Sequence, residues 1–330
     1  MRAAIVKEFG PIASHAVGDL PDPTPRAGEV LVTIKATAVN FVDSLVVTGK
    51  YQFLPQRPFA PGKLPAGIVA ALGPGVSGLK IGDRVLTLAE QGGYAQTVAV
   101  DAKQCFKLPE RMSFAEAASM ALVYDTSWFG LRERARIKAG DSVLVLGATG
   151  GVGLASVQLA RAMGARVLAG VSNAAKAQPA LSAGAHDFID LSLPNMRDSL
   201  REQVFEKNGG QGVDIIIDPI GGDAFDAALR ALAWRGRLVV IGFASGRIPE
   251  VKANYLLLKN IEVTGLQVSD YRKRMPEMMA ECMREIFALY EAGKLKPAPF
   301  RTVPLDEFAT SLQAVVDRRA SGRIVLEPNP

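Results

Sequence analysis

Residues 142–177 read SVLVLGATGGVGLASVQLARAMGARVLAGVSNAAKA, and this stretch decides the fold. A β-type apolar run, Ser142 to Leu146, stops in a cluster of glycines; a helix-type run opens from the cluster, and a second β-type run follows from Ala165 to Gly170. Apolar strands alternating with helices form parallel sheets covered on both faces. In such doubly wound α/β folds the first strand-to-helix turn lays a pyrophosphate against backbone N–H groups at the positive end of a helix. Gly147, Gly150, Gly151 and Gly153 supply the tight turn, the close backbone approach and the close helix packing, with Val152 in the same opening turn. The spacing, G-x-x-G-G-V-G, is one residue longer than G-x-G-x-x-G, so the strand before it and the helix after it carry the reading.

The turn specifies a pyrophosphate; the end of the second strand chooses the dinucleotide. An Asp or Glu about 20 residues on binds the ribose 2′-OH of NAD and repels a 2′-phosphate. Here residues 169–178 read AGVSNAAKAQ, with no carboxylate. Ser172 and Asn173 are neutral donors and Lys176 is a cation, which favours NADP(H), NADPH in the reducing direction, over NAD(H). A solvated surface lysine is the plain alternative.

Working outward, four more strands fit at 186–190, 213–218, 237–242 and 260–265, with helical runs between most of them. The first hundred residues alternate short β-type runs with Gly, Pro and Asp turns, the pattern of a partly closed antiparallel structure. The tail gives a short helix and a last β run, GRIVLEP, expected to return to the N-terminal β region. Met279, Cys282, Ile286 and Leu289 form a helical core stripe with Gly293 as its stop, and Trp128 and Trp234 read as core.

A chain of 330 residues exceeds what one core sustains, so two domains are expected. Its 38 basic and 33 acidic residues give +5, scattered along the chain, and no nucleic-acid partner is expected. No apolar run approaches the roughly 18 residues of a membrane span, and a cytoplasmic protein is expected. Cys105 and Cys282 are the only cysteines, His15 and His186 the only histidines, and none has ligand spacing. Disulfide scaffold, structural zinc and histidine triad are all improbable on that inventory, so catalysis must proceed without histidine.

The ordered segments AVNFVDSLVVTGKY, GPGVSGLKIGDRVLTL, GGYAQ, the glycine turn, GAHDFIDL, GVDIIIDPIGGDAFDAALRALAWRGRLVVIGFASG and RRASGRIVL make the chain resemble the zinc-independent medium-chain dehydrogenases/reductases related to NADPH:quinone oxidoreductases and zeta-crystallin. The resemblance implies a GroES-like, β-rich catalytic domain from residues 1–122 and 268–330, and a Rossmann domain at 123–267. Zinc-dependent relatives place a Cys near Asn40 and a Gly-His-Glu where this chain has Gly62-Lys63-Leu64, so the soft ligand set is missing and no metal is expected. By the same resemblance Lys176 and Arg319 bind the cofactor's 2′-phosphate. Thr126, the backbone from Ile241 through Phe243 to Ser245, and that from Leu266 to Val268 lie near the nicotinamide. Leu191 stands where many relatives carry a Tyr beside the adenosine phosphate.

With hydride supplied by the cofactor, the protein must orient an acceptor and stabilise negative charge on its oxygen. Asn40 and Tyr51, in NFVDSLVVTGKY, match the acceptor-pocket pair of quinone reductases and, for the tyrosine, the proton donor proposed in 2-enoyl thioester reductases. An amide can donate to an enolate oxygen and a phenol can protonate an enolate; the alternative is structural use of both. Asp43 reads as a turn or cap residue, Tyr94 and Tyr124 as core before pocket, and Lys63 as facing an anionic substrate or solvent. The expected activity is reduction of a quinone or an α,β-unsaturated carbonyl. The alternatives are a 2-enoyl-CoA reductase and an NADPH-binding, crystallin-like protein with little turnover. The edge run KNIEVTGL, with Ile261 and Val263 alternating, predicts pairing with its own copy in a homodimer.

Overall fold

The computed structural model describes residues 1–329 and divides into two compact units. One comprises Met1–Leu122, Tyr271–Phe287 and the chain from Pro297 onward; the other comprises Val123–Asp270 and Ala288–Lys296.

The first unit begins with an antiparallel pair, β1 (Arg2–Ile5) and β2 (Ala16–Asp19). Next come β3 (Glu29–Ala38), β4 (Ala66–Leu72), β5 (Arg84–Thr87), β6 (Thr97–Asp101) and β7 (Cys105–Lys107). Along β3 the side chains alternate, and Val30, Val32 and Ile34 turn inward onto Val69, Val85, Val98 and Val100. That period of two is what an antiparallel sheet with one packed face demands.

The second unit is a six-stranded parallel sheet. Its strands are β8 (Ser142–Leu146), β9 (Arg166–Val171), β10 (Asp187–Asp190), β11 (Val213–Asp218), β12 (Leu232–Val240) and β13 (Glu262–Gly265), in the order β10-β9-β8-β11-β12-β13. Every residue of β8 is buried, which explains its uninterrupted apolar run. Leu144, Leu168, Ile216 and Leu238 of neighbouring strands share a core with Phe225 and Leu229 of the helix Gly222–Ala231. The chain winds from β8 outward through β9 and β10, then returns to the other side of β8 at β11. Strand order therefore reverses between β8 and β11, and the carboxyl ends of the strands at such a reversal are where sheets of this kind bind ligands.

One core assignment is corrected. β12 starts at Leu232, five residues before the expected 237, and its pairing with β11 jumps from Val213–Leu232 to Ile215–Arg237. The extra residues bulge out with Arg235 at φ 64°, and Trp234 is carried to the surface at 67% exposure. Trp128, by contrast, is buried.

The helix Pro276–Glu291 buries Met279, Cys282 and Ile286, and Gly293 follows it at φ 70°. Then β14 (Phe300–Pro304) and β15 (Arg323–Glu327) complete the first unit. β15 runs antiparallel to β3, with Val325 opposite Ala38, so the tail joins the N-terminal sheet as its β pattern implied. The resulting seven-stranded sheet has the order β14-β15-β3-β4-β5-β7, with β6 also pairing with β3. Among the described residues no helix is long and apolar enough to cross a membrane.

Candidate active site

The glycine turn lies at the carboxyl end of β8, at the point where strand order reverses. Gly147 has φ 60°, a conformation that L side chains rarely adopt. Gly153 faces back onto this turn, and a Cβ there would sit 2.1 Å from the Gly147 carbonyl oxygen. The helix Gly151–Ala162 begins with Gly150 extended and no side-chain cap, so the first-turn N–H groups of Gly151, Val152 and Gly153 have no acceptor inside the helix. Bare donors at the positive end of a twelve-residue helix fit a pyrophosphate.

At the end of β9, Ser172 and Lys176 are exposed and Asn173 is half-buried, with Lys176 closing a short 3-10 turn from Ala174. A carboxylate absent from the local sequence does reach this loop. Asp190, the last residue of β10, accepts from the Ala174 N–H through Oδ2 at 3.1 Å and from Ser192 through Oδ1 at 2.8 Å. Donation from the Ser192 hydroxyl and backbone holds the Asp190 carboxyl below its ordinary range. The next residue, Leu191, is buried in the sheet core.

On the other side of the glycine turn, a Cβ on Gly130 would meet Ile241 at 3.3 Å and Leu266 at 4.0 Å, so these two side chains converge one helical turn beyond Thr126. Thr126 is buried. The neighbouring Ser127 hydroxyl donates to Val152 O at 3.1 Å, which ties this helix to the opening turn of Gly151–Ala162. Phe243 is exposed. Thr126, the glycine turn, Ser172 to Lys176, Ile241, Phe243 and Leu266 thus all belong to the second unit. Arg319 belongs to the first, where it is exposed and ion-paired with Asp317.

Asn40 and Tyr51 also belong to the first unit. Asn40 precedes the helix Phe41–Val47; its N–H donates to Asp43 Oδ2 at 2.9 Å, while the Asp43 N–H donates to Asn40 O at 3.0 Å. Asp43 is thus a cap, as its position suggested. The Asn40 side chain is engaged at both ends: Nδ2 donates to Ala38 O at 3.0 Å, and Oδ1 accepts from Arg323 at 2.8 Å. Burial pushes the Asp43 carboxyl up, against the opposing pull of the Tyr94 hydroxyl, which donates to it at 2.7 Å. Burial and this carboxylate push the Tyr94 phenol well above its ordinary range. Tyr94 and Tyr124 are both core residues.

Lys63 does not reach solvent, one of the two expectations for it. Its side chain is 2% exposed, and Nζ donates to Glu90 Oε2 at 2.7 Å and to Glu90 O at 3.1 Å. Arg272, 1% exposed, takes the other carboxylate oxygen at 2.8 Å. Burial alone would raise the Glu90 carboxyl, but Arg272 and Lys63 outweigh it and hold it at about 2. The Lys63 ammonium also lies 5.4 Å from the centroid of the half-buried Tyr51 ring. Nothing local in the sequence marks Glu90 or Arg272, which are 182 residues apart.

The positions matched to a catalytic zinc site therefore hold an amide bonded to Arg323 and an ammonium bonded to Glu90. Neither is the thiolate or imidazole that a zinc site is built from, and the ammonium has no lone pair to offer, so zinc does not fit. Among the described residues no cluster of three or more His, Cys, Asp or Glu side chains could hold an ion.

Two family models match the chain: an alcohol dehydrogenase GroES-like domain over residues 26–110 and a zinc-binding dehydrogenase over residues 151–284. The quinone oxidoreductase-like protein 2 of Bos taurus is 36% identical over 92% of this chain and 87% of its own. The quinone oxidoreductase of Homo sapiens is 33% identical over 99% of this chain and 97% of its own. The crystal structure of Escherichia coli quinone oxidoreductase complexed with NADPH matches with a TM-score of 0.90 at 30% identity, covering 99% of this chain and all of that one.

Proposed function

The chain belongs to the medium-chain dehydrogenases/reductases, among their quinone oxidoreductases, and from that premise we propose that it reduces a quinone or an α,β-unsaturated carbonyl with NADPH and without zinc. The observation that carries this reading is the pairing of an uncapped glycine turn at the strand reversal with a zinc position filled by a buried ion pair. NADPH supplies the hydride. The N–H groups of Gly151 and Val152, with Gly147 and Gly150 shaping the turn, hold its pyrophosphate. Lys176, with Ser172 and Asn173, takes the 2′-phosphate. Thr126, Ile241, Phe243 and Leu266 border the nicotinamide.

Tyr51 is the proton donor once negative charge has developed on the acceptor. Asn40, engaged at both ends, holds the start of its helix, and its second amide N–H is the donor to the acceptor oxygen. Functionally, residues 1–122 and 268–330 serve the acceptor and 123–267 the cofactor. Neither Cys105 nor Cys282 is in a disulfide, which fits a cytoplasmic protein. In β13, a four-residue strand at the sheet edge, we place the contact of a homodimer.

One panel tests the activity: NADPH and NADH oxidation against quinones, enones, enoyl-CoAs and alcohols. Quinones or enones with NADPH are expected to turn over and alcohols not. Tyr51→Phe should lower enone kcat about a hundredfold. Clean preference for crotonyl-CoA would move the assignment to enoyl thioester reduction. No turnover in any arm would leave an NADPH-binding protein.

A further inference from the structure

The turn after β11 is built as carefully as the glycine turn beside it, and no cofactor role considered above includes it. Asp218, the last residue of β11, is fully buried. Its Oδ1 accepts from the N–H groups of Ile220 at 2.8 Å and Gly221 at 2.9 Å. Its Oδ2 is also buried and has no hydrogen-bond partner among the described residues. Leaving one oxygen of a buried carboxyl unsatisfied is unfavourable, so the two bonds to Oδ1 must fix something worth holding.

The bonds fix a turn that forms a wall for two cofactor segments at once. On one side, a Cβ on Gly147 would meet the Ile220 side chain at 3.2 Å and Pro219 at 3.7 Å, so the turn abuts the glycine cluster. On the other side the 241–247 loop is docked onto it by successive backbone bonds. Ile241 N donates to Asp218 O at 2.8 Å, Ala244 N to Pro219 O at 3.2 Å, and Ser245 N to Ile220 O at 2.9 Å. Gly222 N donates to Arg247 O at 3.1 Å. Gly221 and Gly222 have φ 68° and 60°, and a Cβ on Gly222 would lie 2.6 Å from Ser245 Oγ. The loop therefore takes its shape from the 218–222 backbone.

We infer that Asp218 is the positioning residue of the cofactor site: through Ile220 and Gly221 it holds in place both the wall behind the pyrophosphate turn and the 241–247 loop beside the nicotinamide. This rests on the NADPH reading above. The side chain touches no reacting atom and acts through the backbone that it organises.

Two variants of similar shape separate the acceptor from the volume. Asp218→Asn keeps an oxygen at Oδ1, whereas Asp218→Leu removes it. NADPH affinity, followed by cofactor fluorescence, should weaken about tenfold or more in Asp218→Leu and stay within about threefold of wild type in Asp218→Asn. Hydrogen exchange of the cofactor-free protein should lose protection at 220–222 and 241–245 in Asp218→Leu alone. Equal affinity and protection in all three proteins would overturn the inference, as would equal damage by both variants. Should Asp218→Leu not fold, the wild-type protein still decides: Ile220 and Gly221 amides that exchange as freely as open loop would overturn it. Failure of the wild type to bind NADPH would show itself before any variant is made and would overturn the cofactor reading instead.

Discussion

At Lys63 the identity of a residue and its surroundings part company. A lysine between Gly62 and Leu64 looks like a surface or substrate-facing cation, yet it shares one carboxylate with Arg272 inside the first unit. The partner that decides this comes from a turn 27 residues on, and the second cation from 182 residues beyond that. Removing the shared carboxylate leaves two buried cations without it, a change that costs about 3 kcal/mol where such pairs have been broken. Glu90→Gln is expected to lose roughly that much at neutral pH, measured by urea unfolding. Because the folded Glu90 carboxyl sits at about 2 against an ordinary 4.5, its contribution is complete above 4.5 and is lost as pH falls from 4.5 through 2. The gap between wild type and Glu90→Gln should therefore close over that window. A gap that persisted unchanged to pH 2 would refute the electrostatic account.

At the scale of elements, the glycine turn was the most legible feature of the chain. Its strand, turn and helix follow from an apolar run, positive-φ glycine and a helix without a cap, all local properties. Gly153 sharpens this, because its missing Cβ is what lets the helix approach the Gly147 carbonyl. Gly153→Ala should force helix and turn apart. It is expected to destabilise the protein by about 2 kcal/mol and to abolish measurable NADPH binding, read by thermal unfolding and cofactor fluorescence. Retained affinity would mean that the cradle tolerates a shift. The β12 bulge was not legible, since Arg235 is not a residue type that announces φ 64° and Trp234 looks like core wherever it stands. Asp190 was missed for a related reason: it reaches the second-strand loop sideways, from the neighbouring strand β10, 16 residues beyond the Ala174 N–H that donates to it.

For the molecule as a whole, sheet edges matter most. β15 closes onto β3, but β13 ends the parallel sheet with an unpaired side, and Leu257 and Leu258 stand exposed on the helix just before it at 78% and 73%. An open edge beside exposed leucines favours a self-complementary contact. Sedimentation is expected to give twice the 35.1 kDa chain mass, and a monomer at micromolar concentration would refute the homodimer. The return of the C-terminal tail to β3 was readable, because a β pattern after a helical region has few places to pair.

By itself the sequence determined the alternating sheet, the glycine turn at its first strand-to-helix junction, the carboxylate-free stretch after its second strand and the lack of Cys or His near Asn40 and Lys63. Each of these is set by residues close together along the chain, through backbone conformation, periodicity or donor chemistry. Only the tertiary structure decided that Asn40 is held by Arg323, that Lys63 is ion-paired with Glu90, that Asp190 reaches the Lys176 loop and that Asp218 braces the turn on which the 241–247 loop is docked. Those outcomes depend on which distant groups burial brings within about 3 Å, where a hydrogen bond or ion pair forms, and that distance is written in no local pattern.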